Sequence, residues 1–168
     1  HRNALNRQVL RGKTLGKCFF VQKALSGASE KDWGNSKMIS IAICDDEAVF
    51  AEALHALVDA GMKEILYGEN SMDERELSYE ITVFTNPLMM IDALKTKRFD
   101  LAFLDLLMNK ESGFGVAQEI RRMRLNTEIA IVTSYGEARN DAFQYRPIGY
   151  VDKPATIEEV TRLLRLYI

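Results

Sequence analysis

The stretch Ile39-Ser40-Ile41-Ala42-Ile43-Cys44-Asp45-Asp46-Glu47 decides how this chain folds. Its first part is apolar almost without interruption, which is typical of a strand buried on both faces of a parallel sheet. Acidic residues follow at once, so the strand ends in carboxylates. Parallel sheets flanked by helices carry their functional groups just beyond the carboxyl ends of the strands. The stretch therefore predicts a parallel sheet and also the edge of that sheet at which chemistry is expected.

Four more apolar runs repeat this pattern further along the chain. The five predicted strands are Ile39–Cys44, Ile81–Phe84, Leu101–Leu104, Ile129–Val132 and Ile148–Val151. Helical patterns separate them. Asn86-Pro87 is typical of a helix start, and Thr156 with Glu159 forms a capping-box pattern before the last helix. Strands that alternate with helices predict an α/β fold in which a parallel sheet lies between two layers of helices.

The first helix is predicted from an apolar stripe. Phe50, Leu54, Leu57 and Val58 fall at helical spacing on one face, and this face is expected to pack on the sheet. The polar stretch 61–79 is expected to extend this helix and then to form a loop. A weaker pattern predicts the fourth helix near residues 137–143.

Charge divides the chain into two parts. Residues 1–37 carry eight basic and two acidic residues, a net charge of +6, whereas residues 38–168 have a net charge of −8. The regular pattern begins at Met38. We therefore expect one domain over residues 38–168, preceded by a basic tail over residues 1–37 that is disordered or non-native. A basic arm for nucleic acid is the alternative for the tail, but the acidic domain is not expected to bind nucleic acid directly.

Composition excludes several protein classes. Of the 168 residues, 47% are hydrophobic, which is enough for a packed core. No run approaches the roughly 20 apolar residues of a membrane-spanning helix. The two cysteines do not make a disulfide framework. We expect a cytoplasmic protein with no membrane partner.

Polar residues directly follow four of the predicted strands. They are Asp45 and Asp46 after the first, Asp105 after the third, Thr133 after the fourth and Lys153 after the fifth. Each has an ordinary alternative, because Asp and Thr often cap helices and lysine is mostly exposed. Three clustered carboxylates, however, repel one another unless a cation is present. Oxygen ligands of this kind suit Mg²⁺, a lysine and a hydroxyl suit a phosphoryl group, and an Asp can itself accept that group.

This constellation resembles the receiver domain of bacterial two-component response regulators over residues 38–168. Residues 41–47 look like the first strand and acidic pair of that family. Asp105 stands where the family has its phosphoacceptor, and Met108 and Gly113 follow at the expected offsets of three and eight residues. Residues 142–150 look most like the receivers of LytTR transcriptional regulators. The resemblance implies a flavodoxin-like (βα)5 fold, a doubly wound parallel sheet with strand order 2-1-3-4-5 in three layers.

By this resemblance, Asp105 takes a phosphoryl group from the phosphohistidine of a sensor histidine kinase. Thr133 then hydrogen-bonds one phosphoryl oxygen, and Lys153 pairs with another. As Thr133 shifts toward the phosphate, space opens for Tyr150 to turn inward, which makes a two-state switch. The face of the fourth helix, fifth strand and fifth helix reads out the state, with a homodimer as the expected form.

The resemblance implies Mg²⁺ as the cofactor. Asp46 and Asp105 would bind it directly, Asp45 partly through water, and the backbone carbonyl of Leu107 would complete the protein ligands. The chain would be a signalling receiver rather than an enzyme, catalysing at most its own phosphorylation and dephosphorylation. Its output is expected to be transcription, through a DNA-binding domain that this chain does not include.

A few positions depart from the family's pattern. Asn109 replaces the usual Pro four residues after Asp105. Leu107 and Tyr135 occupy positions that tune hydrolysis in the family, and neither side chain is suited to orient an attacking water. We therefore expect a long-lived phosphorylated state.

Two alternative functions stay open. A receiver-like module could bind partners without phosphorylation. A phosphatase of the haloacid dehalogenase type also uses an Asp nucleophile and Mg²⁺. That family requires a second acid two residues after its nucleophile, where this chain has Leu107.

Overall fold

The computed structural model of the chain describes residues 37–68, 77–108, 113–134, 136 and 138–168. The strands are β1 (Lys37–Cys44), β2 (Leu77–Phe84), β3 (Leu101–Leu104), β4 (Glu128–Thr133) and β5 (Gly149–Asp152). The helices are α1 (Ala48–Tyr67), α2 (Pro87–Leu94), α3 (Gly113–Arg122), α4 (Ala138–Ala142) and α5 (Ile157–Tyr167), and a 3₁₀ turn at Phe143–Tyr145 follows α4. Apart from Lys37, the predicted tail lies outside the described residues.

All five strands are parallel and form one sheet in the order β2-β1-β3-β4-β5, which confirms the predicted topology. One face packs on α1 and α5, a region we call the α1–α5 core, and the other face packs on α2, α3 and α4. β1 contributes to both, because Ile39, Ile41 and Ile43 face the α1–α5 core while Ala42 and Cys44 face the opposite side. Burial on both faces explains its continuous apolar run.

Three strands start earlier than the sequence predicted: β4 by one residue, at Glu128, and β1 and β2 by more. β2 begins at Leu77 rather than Ile81, so residues 77–79 belong to a strand and not to a loop. β2 is an edge strand bonded to β1 alone, and the polar Ser78 and Glu80 interrupt its apolar pattern. β1 begins at Lys37, which pairs with Leu77 and therefore belongs to the domain rather than to the tail.

Both predicted helix starts are confirmed. The side chain of Asn86 accepts a hydrogen bond from the backbone N–H of Leu88 at 2.8 Å, and Pro87 is the first residue of α2. At α5, the Thr156 hydroxyl accepts from the backbone of Glu159, and the Glu159 carboxylate accepts from the backbone of Thr156. Each cap satisfies N–H groups that have no partner inside the helix.

The fourth helix is short, and the segment after it is tied to α3. The Arg121 guanidinium donates to the backbone carbonyl oxygens of Tyr145 at 2.8 Å, Thr127 at 2.9 Å and Arg146 at 3.4 Å. Arg121 thus joins the end of α3 to both the start of β4 and the approach to β5.

Of the helices in the described residues, α1 is the longest, with 20 residues. The chain leaves α1 at Tyr67 and enters β2 at Leu77, at the amino edge of the sheet. The opposite edge, where all five strands end, is called the carboxyl edge below. Among the described residues, no helix combines the length and apolar character needed to cross a membrane.

Candidate functional site

Strand register places Asp45 and Asp105 side by side at the carboxyl edge. Cys44 in β1 and Leu104 in β3 are register partners, so the residues that follow them leave the sheet together. Backbone hydrogen bonds continue past the strands. The N–H of Asp105 donates to the carbonyl of Cys44 and the N–H of Asp45 donates to the carbonyl of Phe84, both at 3.0 Å. The sheet itself therefore fixes the position of both aspartates.

Three carboxylates gather at this point. Asp45, Asp46 and Asp105 each offer an oxygen, and these oxygens all lie within 4.8 Å of one another. Asp45 and Asp105 are buried, while Asp46 is half-buried. Like charges at such distances disfavour the ionised forms unless a cation is close.

Lys153 supplies one positive charge to this cluster. Its Nζ lies 2.6 Å from Asp45 Oδ2 and 2.6 Å from Asp105 Oδ2, and its side chain is only 6% exposed. The other oxygen of each carboxylate, Oδ1, accepts a backbone N–H from two residues further along, Glu47 for Asp45 and Leu107 for Asp105, at 3.0 Å in both cases. Each of the two aspartates is thus held by Lys153 on one oxygen and by the backbone N–H two residues further along on the other.

The cluster keeps an excess of negative charge. Asp45, Asp46, Asp105 and the Lys153 ammonium, counted over the part of the chain that the structure describes, have a formal charge of −2. Burial disfavours the charged form of Lys153, but its hydrogen bonds to Asp105 and Asp45 and their charges outweigh burial and raise the pKa of Lys153. Burial is the largest influence on Asp45 and raises the pKa of that carboxyl, although Lys153 acts in the opposite direction. The remaining charge and the oxygen donors fit a divalent cation such as Mg²⁺.

Thr133 and Lys153 reach the same edge through β4 and β5. Thr133 is the last residue of β4, is buried, and pairs in register with Asp152. The backbone N–H of Lys153 then donates to the carbonyl of Thr133 at 3.1 Å. The Lys153–Pro154 peptide bond is cis.

Tyr150 lies in β5, the strand that leads to Lys153. It is partly buried in β5 and packs against the α2–α3–α4 side of the sheet. Its ring meets that of Phe143 edge-on, with centroids 5.7 Å apart. Phe143 belongs to the 3₁₀ turn that follows α4, so Tyr150 contacts the segment that joins α4 to β5.

The loop after Asp105 shows why the offsets of three and eight residues matter. Met108 is buried, and its Sδ lies 3.9 Å from the Sγ of Cys44, which anchors the loop in the core. At Gly113, a β-carbon would overlap the carbonyl oxygen of Asp105. A residue without a side chain is therefore required where α3 begins.

The sequence also singles out three loop positions, Leu107, Asn109 and Tyr135. Leu107 is 50% exposed beside Asp105. Asn109, which replaces the usual Pro, and Tyr135, at a position that tunes hydrolysis in the family, lie outside the described residues.

Phe50 is a neighbour of the site, although its helical spacing predicts a position in the core. Leu54 and Val58 are buried as predicted and Leu57 is partly buried, but Phe50 is 37% exposed and belongs to neither core. The first turn of α1 instead carries the ring over the carboxyl edge, where its centroid lies 4.7 Å from Lys153 Nζ. In the sequence, Phe50 stands three residues after the acidic run that ends at Glu47. A helix that starts at the carboxyl edge has its first turn close to that edge, so this spacing could have predicted Phe50 as a neighbour of the carboxylates.

Comparison with known proteins gives one family. The response regulator receiver domain family matches residues 69–165. Sensory transduction protein LytR of Staphylococcus haemolyticus is 30% identical over 118 residues, which cover 70% of this chain and 41% of LytR. Sensory transduction protein LytT of Bacillus subtilis is 25% identical over 130 residues, which cover 77% of this chain and 48% of LytT. The chain spans about half the length of the curated relatives it matches.

Solved structures agree on the fold. Response regulator TrrA of Thermotoga maritima, solved in complex with Mg²⁺–BeF, has a TM-score of 0.58 and 27% identity, covering 78% of this chain and 100% of that one. A CheY-like receiver domain protein of Methanospirillum hungatei has a TM-score of 0.61 and 15% identity, covering 77% and 92%.

Proposed function

Because this chain belongs to the response regulator receiver domain family, we propose that it is switched by phosphorylation of Asp105. The observation that carries this proposal is the contact between Asp105 and Lys153. One oxygen of Asp105 is held by a backbone N–H, while the other lies 2.6 Å from a buried ammonium. The oxygen of Asp105 that can accept a phosphoryl group is therefore already paired with the Lys153 ammonium, which can pair with the phosphoryl group after the transfer.

The phosphoryl group comes from the phosphohistidine of a sensor histidine kinase in the cytoplasm. A carboxylate oxygen of Asp105 attacks phosphorus, the N–P bond breaks, and the histidine nitrogen keeps the electron pair and takes up a proton. Lys153 then pairs with one phosphoryl oxygen, and the Thr133 hydroxyl donates to another. Positioned charges of this kind supply most of the catalysis in phosphoryl transfer.

Asp45, Asp46 and Asp105, together with the backbone carbonyl of Leu107, would hold Mg²⁺. The fit rests on an all-oxygen donor set whose three carboxylates lie within 4.8 Å of one another. Bound there, Mg²⁺ supplies positive charge to the phosphoryl oxygens. The solved complex of TrrA with Mg²⁺–BeF supports Mg²⁺ as the cation.

Thr133 and Tyr150 form the switch. When Thr133 is drawn toward the phosphoryl group, Tyr150 turns inward, and its contact with Phe143 carries the change to the segment after α4. The face of α4, β5 and α5 then pairs with a second copy of the domain. LytR and LytT are about twice as long as the part that this chain covers, which supports a regulator with a further domain. We propose that this further domain binds DNA and controls transcription.

Acetyl phosphate tests the proposal on the full chain. The protein is incubated with acetyl phosphate and Mg²⁺, and its intact mass is measured over time. We expect a gain of one phosphoryl group that Asp105→Asn abolishes and that Asp92→Asn, at an exposed residue of α2, leaves unchanged. Rapid phosphate release without accumulation would instead indicate a phosphatase, and no reaction would indicate a module that works without phosphate.

A further inference from the structure

We propose that Phe50 is a positioning residue for phosphoryl transfer, whose ring holds the Lys153 ammonium in place beside Asp105. This inference rests on the proposed function, and it concerns a residue outside the acceptor, hydroxyl and carboxylate set described above. The ring acts on the reaction through Lys153 alone.

The geometry is that of a cation–π contact. The Lys153 Nζ lies 4.7 Å from the centroid of the Phe50 ring, within the distance of about 6 Å at which the negative face of a ring attracts a cation. The same Nζ lies 2.6 Å from each of Asp45 and Asp105. The ammonium is therefore held by two carboxylates and by a ring that approaches from α1.

Core packing does not explain the position of Phe50. Leu54, one turn further along α1, is 5% exposed, whereas Phe50 is 37% exposed and belongs to neither core. Leaving part of a large apolar side chain in water forgoes hydrophobic stabilisation. The described partner of the ring is the charge of Lys153, which a phenyl ring attracts and an aliphatic side chain of similar size does not.

The contact bears on the step in which Lys153 changes partners. The ammonium must leave the Asp105 carboxylate for a phosphoryl oxygen, and a long lysine side chain has many rotamers in which it would instead enter water. A ring face attracts a cation over a broad area. Phe50 therefore keeps the ammonium close to the reacting oxygen during this movement.

Acetyl phosphate isolates this effect because no partner protein takes part. An oxygen of Asp105 attacks phosphorus, the bond from phosphorus to the acetate oxygen breaks, and acetate leaves with the electron pair. No proton is transferred, and Lys153 stays protonated throughout. A change in rate then reports on the placement of charge around the phosphoryl group.

The test compares Phe50→Leu, Phe50→Tyr and the matched control Val49→Ala on the full chain with Mg²⁺. Val49 is the neighbouring residue of the same helical turn and is 77% exposed. Intact mass gives the phosphorylation rate at several acetyl phosphate concentrations, and thermal unfolding checks the fold. We expect Phe50→Leu to slow phosphorylation about three- to tenfold, while Phe50→Tyr, which restores an aromatic face, and Val49→Ala stay within about twofold of wild type.

Two results would overturn the inference while leaving the proposed function intact. In one, Phe50→Leu is phosphorylated as fast as wild type; in the other, Phe50→Tyr is as slow as Phe50→Leu. If wild type itself gains no phosphoryl group, the proposed function fails and the positioning role fails with it.

Should Phe50→Leu not fold, NMR of wild type and Phe50→Tyr decides. We expect ring-current shifts on the protons next to the Lys153 ammonium in both proteins, and their absence from wild type would contradict the contact.

Discussion

The backbone of Gly113 lies so close to the carbonyl oxygen of Asp105 that a β-carbon at residue 113 would overlap that oxygen. Two residues further along α3, a β-carbon at Gly115 would meet nothing within 4 Å. The first glycine lets α3 approach the acceptor residue, whereas the second borders open space.

This difference predicts opposite effects of the same substitution. Gly113→Ala should lower the free energy of unfolding by about 1–3 kcal/mol, because the backbone after Asp105 must move away. Gly115→Ala should raise it by up to about 1 kcal/mol, since alanine favours the helix. Urea unfolding of both variants measures this, and equal effects at the two positions would contradict the close approach.

Removing one charge from the carboxylate cluster should separate stability from metal binding. Asp46→Asn removes one of three carboxylates whose oxygens lie within 4.8 Å of one another and repel, so without Mg²⁺ the free energy of unfolding should rise by about 1 kcal/mol. The same variant should lose most of the increase in Tm that Mg²⁺ gives the wild type. Thermal unfolding with and without Mg²⁺ tests both effects, with Asp92→Asn as the control. An unchanged response to Mg²⁺ would exclude Asp46 as a ligand.

Leu107 should prolong the phosphorylated state. Its half-exposed aliphatic side chain stands two residues after the acceptor and cannot orient an attacking water. We expect the phosphoryl group on the purified wild type to last minutes or longer, and Leu107→Asn to shorten its lifetime several-fold. Loss of the phosphoryl mass after removal of acetyl phosphate gives both lifetimes; a wild-type lifetime of seconds would refute the prediction.

Tyr79 should make stability depend on alkaline pH. Its hydroxyl donates to Asp59 Oδ1 at 2.7 Å, linking β2 to α1. Burial first, and then this hydrogen bond, raise the pKa of Tyr79 above its ordinary value. Above pH ~10 the unfolded chain loses the phenol proton while the folded chain keeps it, so the free energy of unfolding falls as pH rises.

Replacing this hydroxyl tests the link. Tyr79→Phe should cost about 1–2 kcal/mol at pH 7 and should reduce the alkaline loss of stability. Tyr67→Phe, at a tyrosine that is 66% exposed, is the matched control and should leave stability at pH 7 unchanged. It should reduce the alkaline loss of stability less than Tyr79→Phe does, because the charge of Tyr67 is the smallest of the influences that raise the pKa of Tyr79. Urea unfolding at pH 7 and above pH 10 distinguishes the two variants. If the free energy of unfolding of Tyr79→Phe falls with pH as steeply as that of wild type, Tyr79 is not the origin of the alkaline loss of stability.

Arg121 and Arg122 are adjacent arginines with different environments. Arg121 reaches three backbone carbonyl oxygens, whereas Arg122 forms an exposed pair with Glu119. Arg121→Lys should lower the free energy of unfolding by about 1–3 kcal/mol, since an ammonium cannot reproduce the planar fork. Arg122→Lys should cost less than about 0.5 kcal/mol. Chemical denaturation compares them, and equal costs would argue against the Arg121 contacts.

Sequence patterns were sufficient to predict those strands and site residues whose positions depend only on burial and on the direction of the chain. The strand that ends at Cys44 is buried on both faces, so it was recognisable, and parallel strands must deliver Asp45 and Asp105 to one edge. The start of β2 escaped prediction because an edge strand has a mixed pattern. Phe50 was assigned to the core because periodicity defines the face of a helix but not how far along the helix the core extends.

The connection between α1 and β2 has a consequence for how such a domain can be altered. Tyr67 and Leu77 bound it at the amino edge of the sheet, on the side away from Asp105. We therefore expect residues inserted between Tyr67 and Leu77 to leave the pairing of β1 with β3 and the geometry around Asp105 unchanged. On this expectation, a reporter grafted between these two residues should leave phosphorylation of Asp105 at its wild-type rate.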